Sequence, residues 1–115
     1  MKLSEAMARA DTLRLNTVSE EQKARWIWEL EGQLGEMASI LPRPCPWPEE
    51  DPLLLLTGPY EEVYQLYMAA KIDYYNQEMG LYANDRAVYE SLLSEAKAWW
   101  RRGHRPEKGG NWKVM

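Results

Sequence analysis

Lys71 and five tyrosines stand together in residues 59–77, PYEEVYQLYMAAKIDYYNQ, and theirs are the residue types and spacing in this chain most open to chemistry. An ammonium among phenols permits three kinds of work. Desolvation could tune Lys71 for catalysis, or its charge could meet a phosphate. In the duller alternative its stem lies across the rings, and the ammonium meets a tyrosine face, a carboxylate or a neighbouring subunit. The rings could also form a stacking platform for single-stranded nucleic acid, but that chemistry needs a cationic groove around them. The neighbours here are Glu61, Glu62, Asp73 and Glu78, so the second ingredient is missing. Packing and subunit contact are the favoured roles.

Elsewhere the chain offers little chemistry. It has no P-loop, no glycine-rich dinucleotide turn, no nucleophile elbow and no His-Glu pair at metal-ligand spacing. The single histidine, His104, stands beside two arginines and a glycine, where a general base would be poorly held. Cys45 is the only cysteine and has no partner for an internal disulfide or a zinc cluster. No enzymatic role, cofactor or metal is expected.

The elements that position these residues follow from periodicity. Leu3, Ala6, Met7, Ala10 and Leu13 recur at helical spacing and predict a first helix over 3–14. Ser19 followed by Gln22 is a capping-box pattern, with Glu20 and Glu21 suited to a helix N-terminus, so a second helix begins near residue 20. Trp26, Ile27, Leu30, Leu34 and Met37 form its core stripe. Trp28 projects from the opposite side, as an isolated exposed aromatic or as a partner contact. Five prolines in residues 42–52, PRPCPWPEEDP, dictate an extended linker with polyproline II stretches. Leu53–Leu56 then read as a short extended segment along the helices. Gly58 and Pro59, followed by Glu61 and Glu62, open a third helix.

That helix carries the tyrosines. Tyr60, Tyr64, Tyr67, Tyr74 and Tyr75 share an arc of about 100°, with Lys71 at its centre. Met68, Ile72 and Met79 flank it on one side, and Val63, Ala70 and Leu66 on the other. Gln65, Glu62, Asp73, Asn76 and Gln77 remain for a narrow polar arc. One apolar stripe suffices for a surface helix. This one therefore runs through the middle of a bundle, packs on another subunit, or does both. The stretch 79–87, MGLYANDRA, has the glycine and Asn-Asp pair of a helix break, although one continuous helix is also consistent with it. From Asp85, the residues Val88, Tyr89, Leu92, Leu93, Ala96, Trp99 and Trp100 share one face, which predicts a fourth helix over 85–102.

The fold class is therefore all-α. A single helical domain over 1–102 contains about four helices, the last two forming an αα-hairpin, and residues 103–115 form a flexible basic tail. A chain of 115 residues has room for one core. Six tryptophans and seven tyrosines with no phenylalanine mean that nearly every ring carries a donor needing a partner. The N-terminus lacks the apolar core of a signal peptide, and no apolar run is long enough to cross a membrane, so a soluble intracellular protein is expected.

Charge divides the chain. Residues 1–100 carry nine basic and seventeen acidic side chains, whereas residues 101–115 carry five basic and one acidic. An acidic body does not wrap duplex DNA, because that needs neutralising cations. Only the tail has them, in Arg101, Arg102, Arg105, Lys108 and Lys113, with Trp112 as a possible anchor that orders on binding.

Several spaced stretches together carry a resemblance. They run from MKLSEAMARADTLRLN through VSEEQKARWIWELEG to LLTGPYEEVYQLYMAAKIDYYNQEMGLYAN, and continue in AVYESLL and AKAWW. In these the chain resembles a family of tailed-bacteriophage and prophage head-to-tail connector proteins, also called adaptor or head-completion proteins. It departs from the pattern in reading LRLN at 13–16, where LRPN is expected, and in the proline richness of its linker. The resemblance implies a small, mostly helical, non-enzymatic virion protein. Such a protein would form a homo-oligomeric ring beneath the portal protein in the virion neck, joined to the next head-completion or tail protein, and would assemble in the host cytoplasm. DNA would pass through without specific binding, and an acidic lining would repel its phosphates. Trp28, Tyr64, Tyr67, Lys71, Tyr74, Tyr75 and Trp112 are the expected interface residues. The second reading is a small helical regulator or adaptor that binds nucleic acid or a partner protein through the basic tail.

Overall fold

The computed structural model describes residues 1–103, and within them the chain is all-α. Four helices appear: α1 (Leu3–Leu13), α2 (Glu20–Met37), α3 (Glu62–Tyr75) and α4 (Met79–Gly103), with a 3₁₀ turn at Gly58–Glu61 leading into α3. The expectations on Trp112, Arg105, Lys108, Lys113 and His104 lie outside the described residues.

Local chemistry accounts for the helix starts. The Ser19 hydroxyl accepts the Gln22 N–H at 3.1 Å, capping α2 as the pattern predicts. Pro59 sits in the first turn of the 3₁₀ segment, where its missing donor is not needed. The break between α3 and α4 falls earlier than residues 79–87. Gln77 takes the left-handed conformation (φ 61°), and the Glu78 N–H returns to the Asp73 carbonyl at 2.8 Å, so the chain reverses within 76–78. Asn84 and Asp85 therefore lie inside α4 and do not cap it. Asp85 is used differently, as described below.

The linker holds no helix or strand, as its prolines require, but it is not extended throughout: it turns at residues 47–49, where the Glu50 N–H returns to the Pro46 carbonyl, and the leucines that follow it lie against the helices. Leu53 pairs with Lys2 in an isolated antiparallel bridge, with Leu3 N–H on the Pro52 carbonyl and Leu54 N–H on the Met1 carbonyl. Leu54 and Leu56 are buried, while Leu53 faces out.

α3 is the centre of the molecule and packs on α1, α2, α4 and the 3₁₀ turn. Its tyrosine arc splits into two columns. Tyr60, Tyr67 and Tyr74, spaced by seven residues, meet Trp99, Tyr89 and Tyr82 of α4 at centroid distances of 5.1, 5.3 and 5.3 Å. The pairings run in opposite directions along the two helices, which makes α3 and α4 the expected αα-hairpin. Tyr64 and Tyr75 turn instead to α2, at Glu31 and Trp26. Much of α3's excess apolar surface is consumed inside one chain.

One residue of the expected polar arc is buried. Asp73 is 1% exposed, and its Oδ1 accepts the Arg14 Nε–H at 2.9 Å. The same guanidinium donates to Asp85 Oδ2 at 2.6 Å, so one side chain after α1 clasps both arms of the hairpin. Asp73 Oδ2 is buried and finds no hydrogen-bond partner among the described residues. Burial and then the adjacent Asp85 push the Asp73 carboxyl up to about 6, against the opposing pull of Arg14.

The sign of the resulting pH dependence follows. The folded pKa lies above the unfolded value of 3.8, so the folded chain holds this proton more tightly. The stability gained is fully present below about pH 4 and is lost as pH rises through about 6. Glu31, also raised by burial, acts in the same direction. Asp11, Asp51 and Glu61 are held below their ordinary values and act oppositely at more acid pH. Asp73→Asn mimics the protonated acid at every pH. It is expected to melt no lower than wild type at pH 7.5 and to show a smaller rise in Tm between pH 7.5 and 5. A lower Tm with unchanged pH dependence would contradict this account.

Candidate assembly interface

The residues expected at an interface fall into three environments. Tyr64 is fully buried and belongs to the core, which corrects its assignment as a contact residue. Its hydroxyl donates to Glu31 Oε1 at 2.7 Å and accepts the Leu56 N–H at 2.9 Å, while Glu31 Oε2 accepts the Leu55 N–H at 2.6 Å. Desolvation raises both side chains' pKa values, so at neutral pH Tyr64 remains a phenol donor. The surplus of tyrosine over phenylalanine has a use here, because a phenyl ring could not join α2, α3 and the leucine segment through one polar atom.

Trp28 is also not free. It is half-buried against the core, its indole N–H donates to the Arg43 carbonyl at 2.9 Å, and the Arg43 guanidinium lies 5.3 Å from its ring centroid. The linker folds back over the face of α2 that the helical projection leaves open. Between them lies a groove of about 410 Å³, lined by Trp28, Gly32, Gly35, Ile40, Leu41 and Leu53 among others. Ile40, Leu41 and Leu53 are 54, 86 and 74% exposed.

Tyr67, Lys71 and Tyr74 remain together at a surface. They line a second groove of about 400 Å³, completed by Gln33 and Ala70 and, from α4, by Tyr82, Arg86 and Tyr89. Lys71 Nζ stands 5.4 Å from the Tyr67 ring centroid, the cation–π arrangement that was the duller of its readings. Among the described residues no carboxylate pairs with it. Arg86 is already engaged, by Glu90 at 2.9 Å and the Tyr82 hydroxyl at 2.8 Å. Burial, and then nearby Glu29, push the Tyr67 hydroxyl up to about 12, so Tyr67 stays a neutral phenol. The α4 residues of this groove escaped the sequence reading. Their signal was the heptad step of Tyr60, Tyr67 and Tyr74, which matches aromatic positions on α4 once the two helices are known to be antiparallel.

Tyr75 and Tyr74 are 56 and 61% exposed beside the α3–α4 turn. Around them gather Leu13, Leu15, Met79 and Leu81 at 46, 93, 50 and 44% exposure; the Asn76 side-chain amide, donating to the Leu15 carbonyl at 3.2 Å, ties the two segments. α4 itself buries only Tyr89 and Ala96 and packs chiefly on α3 and the 3₁₀ turn. Val88, assigned to its core face, is 53% exposed. Arg101 and Arg102 are exposed in its last turn.

Among the described residues no group of three His, Cys, Asp or Glu is arranged to hold a metal ion, and no helix is long and apolar enough to cross a membrane.

The core and surface tyrosines are separable by mutation. Tyr64→Phe leaves the Glu31 carboxylate and the Leu56 N–H short of a partner, and is expected to cost about 1–3 kcal/mol in urea unfolding. Tyr74→Ala is expected to cost less than about 1 kcal/mol, because most of the ring is already in water. Equal losses at the two positions would refute the division. Comparisons with models of protein families, with curated proteins and with solved structures give no match.

Proposed function

We propose that this protein is a structural assembly subunit: a tailed-bacteriophage head-to-tail connector that forms a ring under the portal protein, joins the next head-completion or tail protein and surrounds the DNA path in the virion neck. One observation carries the reading. Among the described residues, the exposed large apolar side chains other than Val88 fall in two separate places, the α3–α4 turn with Leu13 and Leu15, and the linker groove with Ile40, Leu41 and Leu53. The first lies beside Trp26 in the N-terminal half of α2, and the second runs along its C-terminal half. A two-fold dimer needs one self-complementary patch, whereas a ring needs two different patches that meet head to tail.

Charge supports the same role. Residues 1–103 carry seventeen acidic and eleven basic side chains, a balance suited to a conduit that must let phosphates slide past. The sequence resemblance adds the neighbours: portal on one side, tail-proximal protein on the other.

Sedimentation velocity over a concentration series, alone and with portal rings, tests the proposal. Self-association, or incorporation into portal complexes, is expected. A protein that stays monomeric at every concentration and never joins portal rings would sink it. Tight binding of duplex DNA with a steep salt dependence would favour the tail-mediated regulator instead.

A further inference from the structure

The tyrosine groove and the linker turn on different faces of α2 carry complementary chemistry. The groove offers phenol faces from Tyr67 and Tyr74 and the ammonium of Lys71, which has no carboxylate partner among the described residues. The linker reverses at residues 46–50, where the Glu50 N–H bonds the Pro46 carbonyl at 2.9 Å, and presents Pro48 and Glu49 to solvent. Glu49 likewise has no ion pair among the described residues.

We propose that the Tyr67–Lys71–Tyr74 groove is the docking site for the Pro48–Glu49 tip of a second copy of this chain, with the Glu49 carboxylate on the Lys71 ammonium and the proline ring on the tyrosine faces. This rests on the assembly reading and names the contact that would build it.

Three physical points converge. Pro48 is exposed at the turn, and its ring offers an apolar face to the tyrosine rings. The tip is already shaped: Arg43 holds Glu50 at 3.4 Å, stands over the Trp28 ring, and its carbonyl accepts the indole N–H, so docking has little loop to order. Finally, a chain's own tip does not line its groove. Trp28 under the linker and Gln33 at the groove are five residues apart on α2, about 140° around the helix. Tip and groove thus meet only between copies, in a head-to-tail contact that repeats until a ring closes.

Charge reversal tests this in the full chain, with sedimentation size read alone and on portal rings. Lys71→Glu and Glu49→Lys are each expected to weaken self-association by roughly tenfold or more, since each sets like charges face to face. Glu49 is exposed, so its variant folds whatever Lys71→Glu does. The double variant is expected to regain assembly. An equimolar mixture of the two single variants is expected to regain assembly with the variants alternating, because both contacts between unlike variants set opposite charges face to face, whereas each variant alone sets like charges face to face. Zero-length carbodiimide cross-linking of isotopically mixed wild-type copies is expected to join Glu49 of one copy to Lys71 of another. If both single variants assemble as wild type does, the docking contact is wrong while the ring reading stands. If wild type never self-associates or joins portal, both fall.

Discussion

The Tyr64 hydroxyl is the junction on which the rest of the bundle depends. It stands in the core, gives its proton to Glu31 of α2 and accepts an N–H from Leu56, so one atom joins the central helix, its neighbour and the extended leucines. The carboxylate it serves also takes the Leu55 N–H. Most buried polar groups are paired in this way, because leaving one unpaired costs its desolvation. Completing this circuit positions α2 against α3 and brings the proline-rich linker back over Trp28. The linker's placement, and with it the groove beneath it, is a consequence of a core hydrogen bond.

Around that junction the α3–α4 hairpin is organised by aromatic pairs and by one arginine. Three tyrosines at heptad spacing meet rings on α4, while Arg14 reaches from α1 to an aspartate on each arm. The second arrangement is a compromise. Two carboxylates share one guanidinium, and Asp73 keeps an oxygen without a partner among the described residues, a buried charge whose desolvation is only partly offset. Packing the outer helix mostly on one neighbour leaves Val88, Met79 and Leu81 in water. For an isolated globule this is wasteful. Such a surface is available to a partner.

Much of the fold was legible along the chain. The spacing of Leu3, Ala6, Met7 and Ala10, the Ser19 cap, the stripe of Ile27, Leu30 and Leu34, and the prolines of 42–52 act over a turn or two of backbone. The structure keeps them all. The site was legible only in part. Lys71, Tyr67 and Tyr74 could be grouped from one helix, but Tyr82, Arg86 and Tyr89 enter from another, and Gln33 from a third. Trp28 reads as an outward ring on its own helix and becomes a covered one because a segment fifteen residues away folds over it.

Helical class, most helix positions, the helix-free linker and the crowding of apolar residues on α3 follow from local propensity and periodicity, which depend on neighbours a few positions away. Which tyrosine became core, which became surface, and why Asp73 left the polar arc depended on what arrived at each face. Tyr64 and Tyr75 lie close in angle on the same helix, yet one is sealed by Glu31 and Leu56 and the other stays half in water beside Trp26. Burial is a property of two surfaces meeting. A helical projection describes only one of them.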